Sequence, residues 1–144
     1  MATIDITRTR FATAVAADPA EQAFWILRAG FVLAPILFGL DKFFNLTVDW
    51  PTYLAPWLDR LVPGDAQAFM VVVGAVEIAA GILVAVRPDV GGLVVAAWLG
   101  GIVVNILTVD PPRFYDVALR DVGLALGALA LSRLAVAARR RATR

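Results

Sequence analysis

The stretch MVVVGAVEIAAGILVAV, Met70 to Val86, decides the fold. It is apolar almost throughout and carries one acid, Glu77, near its middle. With Ala66 to Phe69 it gives about 20 residues, enough for a helix to span the hydrocarbon core of a bilayer. A carboxylate at that depth costs ~2.5–3.5 kcal/mol or more. Glu77 is therefore expected to face protein rather than lipid, and the rest of the chain to shelter it.

Three further runs of the same kind flank this one. The first span covers about residues 23–44, with Arg28 near one end, Pro35 in its middle and Asp41-Lys42 near the other. The second is 66–86. The third, 90–109, holds Gly91, Gly92, Gly100, Gly101 and Asn105, and the fourth, 115–137, holds Arg120-Asp121. The fold class is all-α: a polytopic four-helix membrane bundle of 144 residues, 60% hydrophobic and only 17% charged. Soluble domains sit nearer 45–50% apolar, about 25% charged.

The punctuation agrees. Asp18-Pro19-Ala20-Glu21 reads as a helix start, with Asp18 as cap and Pro19 at the first helical position. Pro63-Gly64-Asp65, Arg87-Pro88-Asp89 and Asp110-Pro111-Pro112 break the chain between spans. Residues 1–22 are read as a cytoplasmic tail. Asp5, Arg8 and Arg10 interrupt residues 1–17, so they lack the apolar core of a signal peptide. Residues 138–144, with Arg139, Arg140, Arg141 and Arg144, are read as a basic cytoplasmic tail that holds anionic lipid. No nucleic-acid partner is expected.

Nine of the 13 basic residues fall on the side of the two termini and the Arg87 turn. The positive-inside rule then places both termini in the cytoplasm. The first outer loop is long. Within it Trp50, Tyr53, Leu54, Trp57, Leu58 and Leu61 follow helical spacing. This segment is too short to span and is read as an interfacial helix anchored by Trp50, Tyr53 and Trp57. A lid over the bundle is the sharper alternative.

There is no Cys and no His. Disulfides, Cys/His zinc sites, thiolate nucleophiles and Ser-His-Asp chemistry need residues the chain lacks. No metal site and no intrinsic cofactor are expected, and a redox centre would sit on another protein or be a diffusible molecule such as a quinone.

The up-and-down order brings polar residues of several spans to one level. Asp41, Lys42, Asn105, Arg120 and Asp121 gather near the outer ends. Glu77 lies deeper by about 6–9 Å, at 1.5 Å of rise per residue. Two readings stay open. One is a ligand or proton site with Glu77 as its floor. The other is a staple of ion pairs, Asp41 with Arg120 and Lys42 with Asp121. Arg28 is read as snorkelling to the inner surface. Small residues at Gly74, Gly81, Gly101, Gly123 and Gly127 are read as helix-packing positions.

Three segments resemble the DoxX-like family of small bacterial membrane proteins. They are ILRAGFVLAPILFGLDKFF from Ile26, GAVEIAAGILVAVRP from Gly74 and RDVGLALGALAL from Arg120. The resemblance covers about residues 23–135, and Arg28, Lys42 and Glu77 match the family pattern by position. It implies a four-helix bundle, multi-pass in a bacterial cytoplasmic membrane. The family is named for a subunit associated with thiosulfate:quinone oxidation, and other members are linked to membrane oxidoreductase assemblies. The first functional expectation is thus a membrane subunit or anchor of a larger, quinone-linked oxidoreductase assembly, with other membrane or peripheral subunits as partners. The alternatives are a quinone- or lipid-binding protein or proton-coupled carrier centred on Glu77, alone or as a homo-oligomer, and a ligand-free assembly factor. Catalysis by the chain alone ranks below these.

Overall fold

The computed structural model describes residues 18–109, 111 and 113–143. All regular secondary structure among them is helical: α1 (Pro19–Phe44), α2 (Ala66–Val86), α3 (Pro88–Leu107) and α4 (Tyr115–Ala142), with two short turns between α1 and α2. Each of the four is long and apolar enough to cross a membrane. The chain is an all-α four-helix membrane bundle. Its outer face suits lipid: Ile26, Leu37, Leu119 and Leu126 are each more than 60% exposed. A patch of that kind is rare on a soluble monomer.

Local chemistry sets the ends. The Asp18 carboxylate accepts from the Ala20 amide at 3.1 Å, so α1 starts at Pro19, four residues before the expected span. Asn45 closes α1 in the left-handed conformation, at φ 51°, and its amide donates to the Asp41 carbonyl. Asp65 caps α2 by accepting from Ala68 N at 2.7 Å. Arg87 is the whole connection between α2 and α3, because Pro88 already occupies the first turn of α3. α4 runs on to Ala142 and takes in Arg139, Arg140 and Arg141. Most of the expected basic tail is thus the last turn of a helix, where cations meet the negative end of its dipole. Residues 1–17, read as part of a cytoplasmic tail, lie outside the described residues, as do Asp110, Pro112 and Arg144.

The expected interfacial helix is replaced by two turns, a 3-10 turn at Trp50–Tyr53 and a single α-turn at Pro56–Asp59. Proline explains the break. Pro56 opens the second turn, and the residue before a proline is driven to extended backbone. Ala55, at ψ 141°, separates them and is fully buried.

The helices run up and down, and pack mainly as two pairs, α1 on α2 and α3 on α4. Glycine lets these pairs close. A Cβ at Gly39 would lie 2.6 Å from the Gly74 carbonyl oxygen, and one at Gly92 2.6 Å from the Ala128 carbonyl oxygen. Gly81 likewise faces Val32 and Ile36, and Gly127 faces Phe31. Gly101 and Gly123, expected to pack, have nothing within 4 Å of an added Cβ. Gly101 borders the cavity between the helices, and Gly123 lies on an exposed face.

The pairs meet at the end that carries the chain termini. There Phe31, Ala80, Val84, Val95, Ala128 and Leu131 form the buried core, with Phe24, Leu27, Val32, Ala96 and Leu99 around it. At the loop end the pairs part, and a cavity opens between all four helices.

Candidate functional site

The seam between α1 and α2 builds the site. Gly39 and Gly74 bring the two antiparallel backbones into contact, and Lys42 and Glu77 lie one turn from that contact on opposite sides of it, near enough for the long lysine side chain to bridge them. Lys42 Nζ donates to Glu77 Oε2 at 2.7 Å, and the two side chains are 5% and 10% exposed. A buried acid is thus matched by a buried cation, and each offsets the other's cost of leaving water. The ammonium also sits 3.6 Å from the centre of the Trp50 ring, a close cation–π contact.

Asp41 works on the loop instead. Its carboxylate accepts from the amides of Leu46 and Thr47, from the Thr47 hydroxyl, and from Trp50 Nε1 at 2.7 Å. Trp50 is therefore gripped twice, at its N–H by Asp41 and at its face by Lys42. From there aromatic contacts run on: Phe38 edge-on to Trp50, Trp50 to Tyr53, and Tyr53 stacked on Phe114 at 4.4 Å. Asn105, on α3, fixes the middle of the loop. Its Nδ2 donates to the Tyr53 carbonyl at 2.6 Å and its Oδ1 accepts from the Ala55 amide at 2.9 Å. Trp57 Nε1 donates to the Thr108 hydroxyl.

The loop thereby roofs a cavity of about 570 Å³. Trp50, Tyr53, Leu54 and Leu58 form its ceiling, and Met70, Val73, Leu99, Ile102 and Leu124 are among its apolar walls. Its charged lining is Lys42, Glu77, Arg120 and Asp121, whose formal charges cancel. Arg120 is 60% exposed on its side chain and bonds its neighbour Asp121 at 3.0 Å.

Of the six polar residues proposed from sequence, five line this cavity: Lys42, Glu77, Asn105, Arg120 and Asp121. Asp41 does not. The two expected cross-pairs, Asp41 with Arg120 and Lys42 with Asp121, are absent among the described residues; Lys42–Glu77 and Arg120–Asp121 form in their place. The reason is the cavity itself, which keeps α1 and α4 apart at this level. Of the three aromatics read as interfacial anchors, Trp57 is 45% exposed, whereas Trp50 and Tyr53 line the cavity.

Arg28 is corrected as well. It does not simply reach for the surface: its Nη2 donates to the Ala85 carbonyl and its guanidinium lies over the Trp25 ring at 4.9 Å. Ala85 is in the last turn of α2, where carbonyls lack helical donors. Arg28 thus satisfies one of them and ties α1 to α2.

One residue of the site went unread in the sequence. Trp98 lies midway along α3 and lines the cavity. Its indole nitrogen is the single buried side-chain nitrogen or oxygen without a hydrogen-bond partner among the described residues. The signal was available. Tryptophan in a spanning helix belongs near its ends, at headgroup level, and one at mid-span calls for a polar neighbour.

No group of acidic residues among those described is arranged to hold a metal ion. Compared with family models, curated proteins and solved structures, the chain matches none.

Proposed function

We propose that this protein binds a neutral lipophilic small molecule with a hydrogen-bonding head, of the quinone class, in a bacterial cytoplasmic membrane. The observation that carries the reading is the buried Lys42–Glu77 pair opening on an apolar cavity of about 570 Å³. Ligand sites are typically apolar pockets of this size with a few placed polar groups. The charge balance narrows the class. A cation or anion would enter a site whose own charges already cancel and would lose its hydration for little return. An uncharged head meets no such penalty. The resemblance to DoxX-like proteins at Arg28, Lys42 and Glu77 points the same way.

The test is purification of the full chain in mild detergent from native membranes, with mass spectrometry of extracted lipophiles. A quinol, a quinone or a similar neutral lipophile retained near one per chain, and lost when Ile102→Trp fills the cavity, is the expected result. Retention of phospholipid only, unchanged by Ile102→Trp, would refute it.

A second reading, a membrane subunit of an oxidoreductase assembly, is favoured by one observation. Gly100 on α3 and Gly123 on α4 leave backbone uncovered on exposed faces. Small residues of this kind let a further helix approach closely. The same purification would then bring down a stoichiometric partner, and Gly123→Leu would release it without unfolding the bundle.

A further inference from the structure

The cavity holds one donor and one acceptor that the protein leaves unused, and they share a wall. The donor is Trp98 Nε1, buried and unpartnered. The acceptor is Glu77: Lys42 bonds its Oε2, and no hydrogen bond from a described residue reaches Oε1. The indole N–H faces the Glu77 carboxylate closely enough to interact weakly with it, but not in the geometry of a full hydrogen bond, so a third group can come between them. Buried polar groups are nearly always satisfied, so an orphan at a cavity wall marks where another molecule's polar atom belongs.

We infer that Trp98 and Glu77 together recognise a hydroxyl group on an apolar body, so the preferred ligand is an alcohol, phenol or quinol rather than a carbonyl compound. This rests on the cavity being a lipophile site. A hydroxyl is the simplest group that both accepts and donates. Its oxygen accepts from the Trp98 N–H and its proton goes to the free oxygen of Glu77. The second bond is to an ionised acceptor and is the stronger of the two. A carbonyl can accept from Trp98 but offers Glu77 nothing. An ether oxygen has the same defect and more bulk. Trp98 is thus a specificity-determining residue, and the Lys42–Glu77 pair acquires a second role: Lys42 engages one carboxylate oxygen and leaves the other open to the cavity.

The experiment uses the full chain in phosphatidylcholine nanodiscs, with empty nanodiscs to subtract partitioning. Three probes of like size are titrated: para-nonylphenol, its methyl ether and nonylbenzene. The phenol is expected to bind about tenfold more tightly than the ether, and the ether no more than a few-fold better than nonylbenzene. Trp98→Phe should keep nonylbenzene affinity and reduce the preference for phenol to about twofold or less. Indole N–H signals in NMR of the wild-type chain ask the same question without a variant. One buried indole proton should move downfield with the phenol and stay put with nonylbenzene. If the three probes bind equally, the cavity reading stands and the hydroxyl inference is overturned. If none binds, the cavity reading itself falls.

Discussion

At the termini end, six buried apolar side chains fill the space between the four helices. At the loop end the same helices line a half-open cavity of about 570 Å³ with four charged residues on its wall. The difference is one of glycine placement and polar cross-links. Near the termini, Gly91 and Gly92 bring α3 against both α2 and α4, so all four helices converge. Polar ties then lock that end: Ser132 Oγ to the Asp89 carbonyl at 2.6 Å, Arg139 to the Asp89 carboxylate, and Arg141 to Asp18 at 2.7 Å. Near the loops, glycine draws α1 to α2 only, and no glycine joins α1 to α4 above Gly127. The space left over is what the loop covers. A small bundle can keep a cavity at one end because the other end holds it together.

The largest expected effect probes the polar half. Lys42→Met strands the Glu77 carboxylate, and removing one partner of a buried pair costs ~3–5 kcal/mol. The double variant Lys42→Met, Glu77→Leu should recover most of that loss, since an apolar replacement of both is often close to neutral. Unfolding in sodium dodecyl sulfate measures both. A Lys42→Met chain as stable as the wild type would mean that the pair is not held together as described, and the contrast between the halves would lose its electrostatic side.

Glycine substitutions test the packing side directly. Gly92→Leu drives a side chain into the Ala128 carbonyl and Ser132, and overpacking of this kind costs about 3 kcal/mol. Gly101→Leu enters open space and should stay within about 0.5 kcal/mol of the wild type. Equal losses at the two sites would erase the distinction between a closed end and an open one. A smaller effect concerns the roof. Asn105→Ala leaves the Tyr53 carbonyl and the Ala55 amide without partners, at about 1–3 kcal/mol. Hydrogen exchange should rise across residues 53–58 while the termini end, read at Val84 and Leu131, keeps its protection. Exchange that rises at both ends would show the halves to be one cooperative unit.

The termini half was largely legible and the loop half was not, for physical reasons. Spans could be read because apolar length and proline or aspartate punctuation are local properties of the chain. Helix starts at Asp18 and Asp65 follow from one carboxylate and the next few amides. Lys42 and Glu77 were both picked out, but their partnership depends on which helices touch, and that is set by Gly39, a residue with no polar signal at all. The cross-pairs with α4 looked equally good at the same depth, and only the parting of α1 from α4 removes them. The apolar spacing of the loop is helical, but Pro56 drives Ala55 to extended backbone and breaks the helix in two. Trp98 blends into the apolar run of its helix, and only its mid-span depth sets it apart.

The smallest expected effect separates the termini end from the loop end by pH. Asp18 caps α1 and receives Arg141 from the far end of the chain. The bond from the Ala20 amide, and then the Arg141 guanidinium, hold its carboxyl below the ordinary value of 3.8. A group whose folded value is lowered stabilises the fold above its unfolded value and loses that contribution as pH falls through the folded one. Asp18 is exposed, so solvent screens it and the gain is small. Wild type and Asp18→Asn should therefore differ slightly in melting temperature at about pH 6 and converge as pH falls through that lowered folded value. Arg141→Ala should lose only the part of that difference that comes from the ion pair, and raised salt should erase the same part. Because this tie lies where α1 and α4 converge, ligand affinity at the loop end should be indifferent to it. A change in nonylphenol affinity on Asp18→Asn would mean that the closed end governs the open one, and that the cavity's width is set from the far side of the membrane.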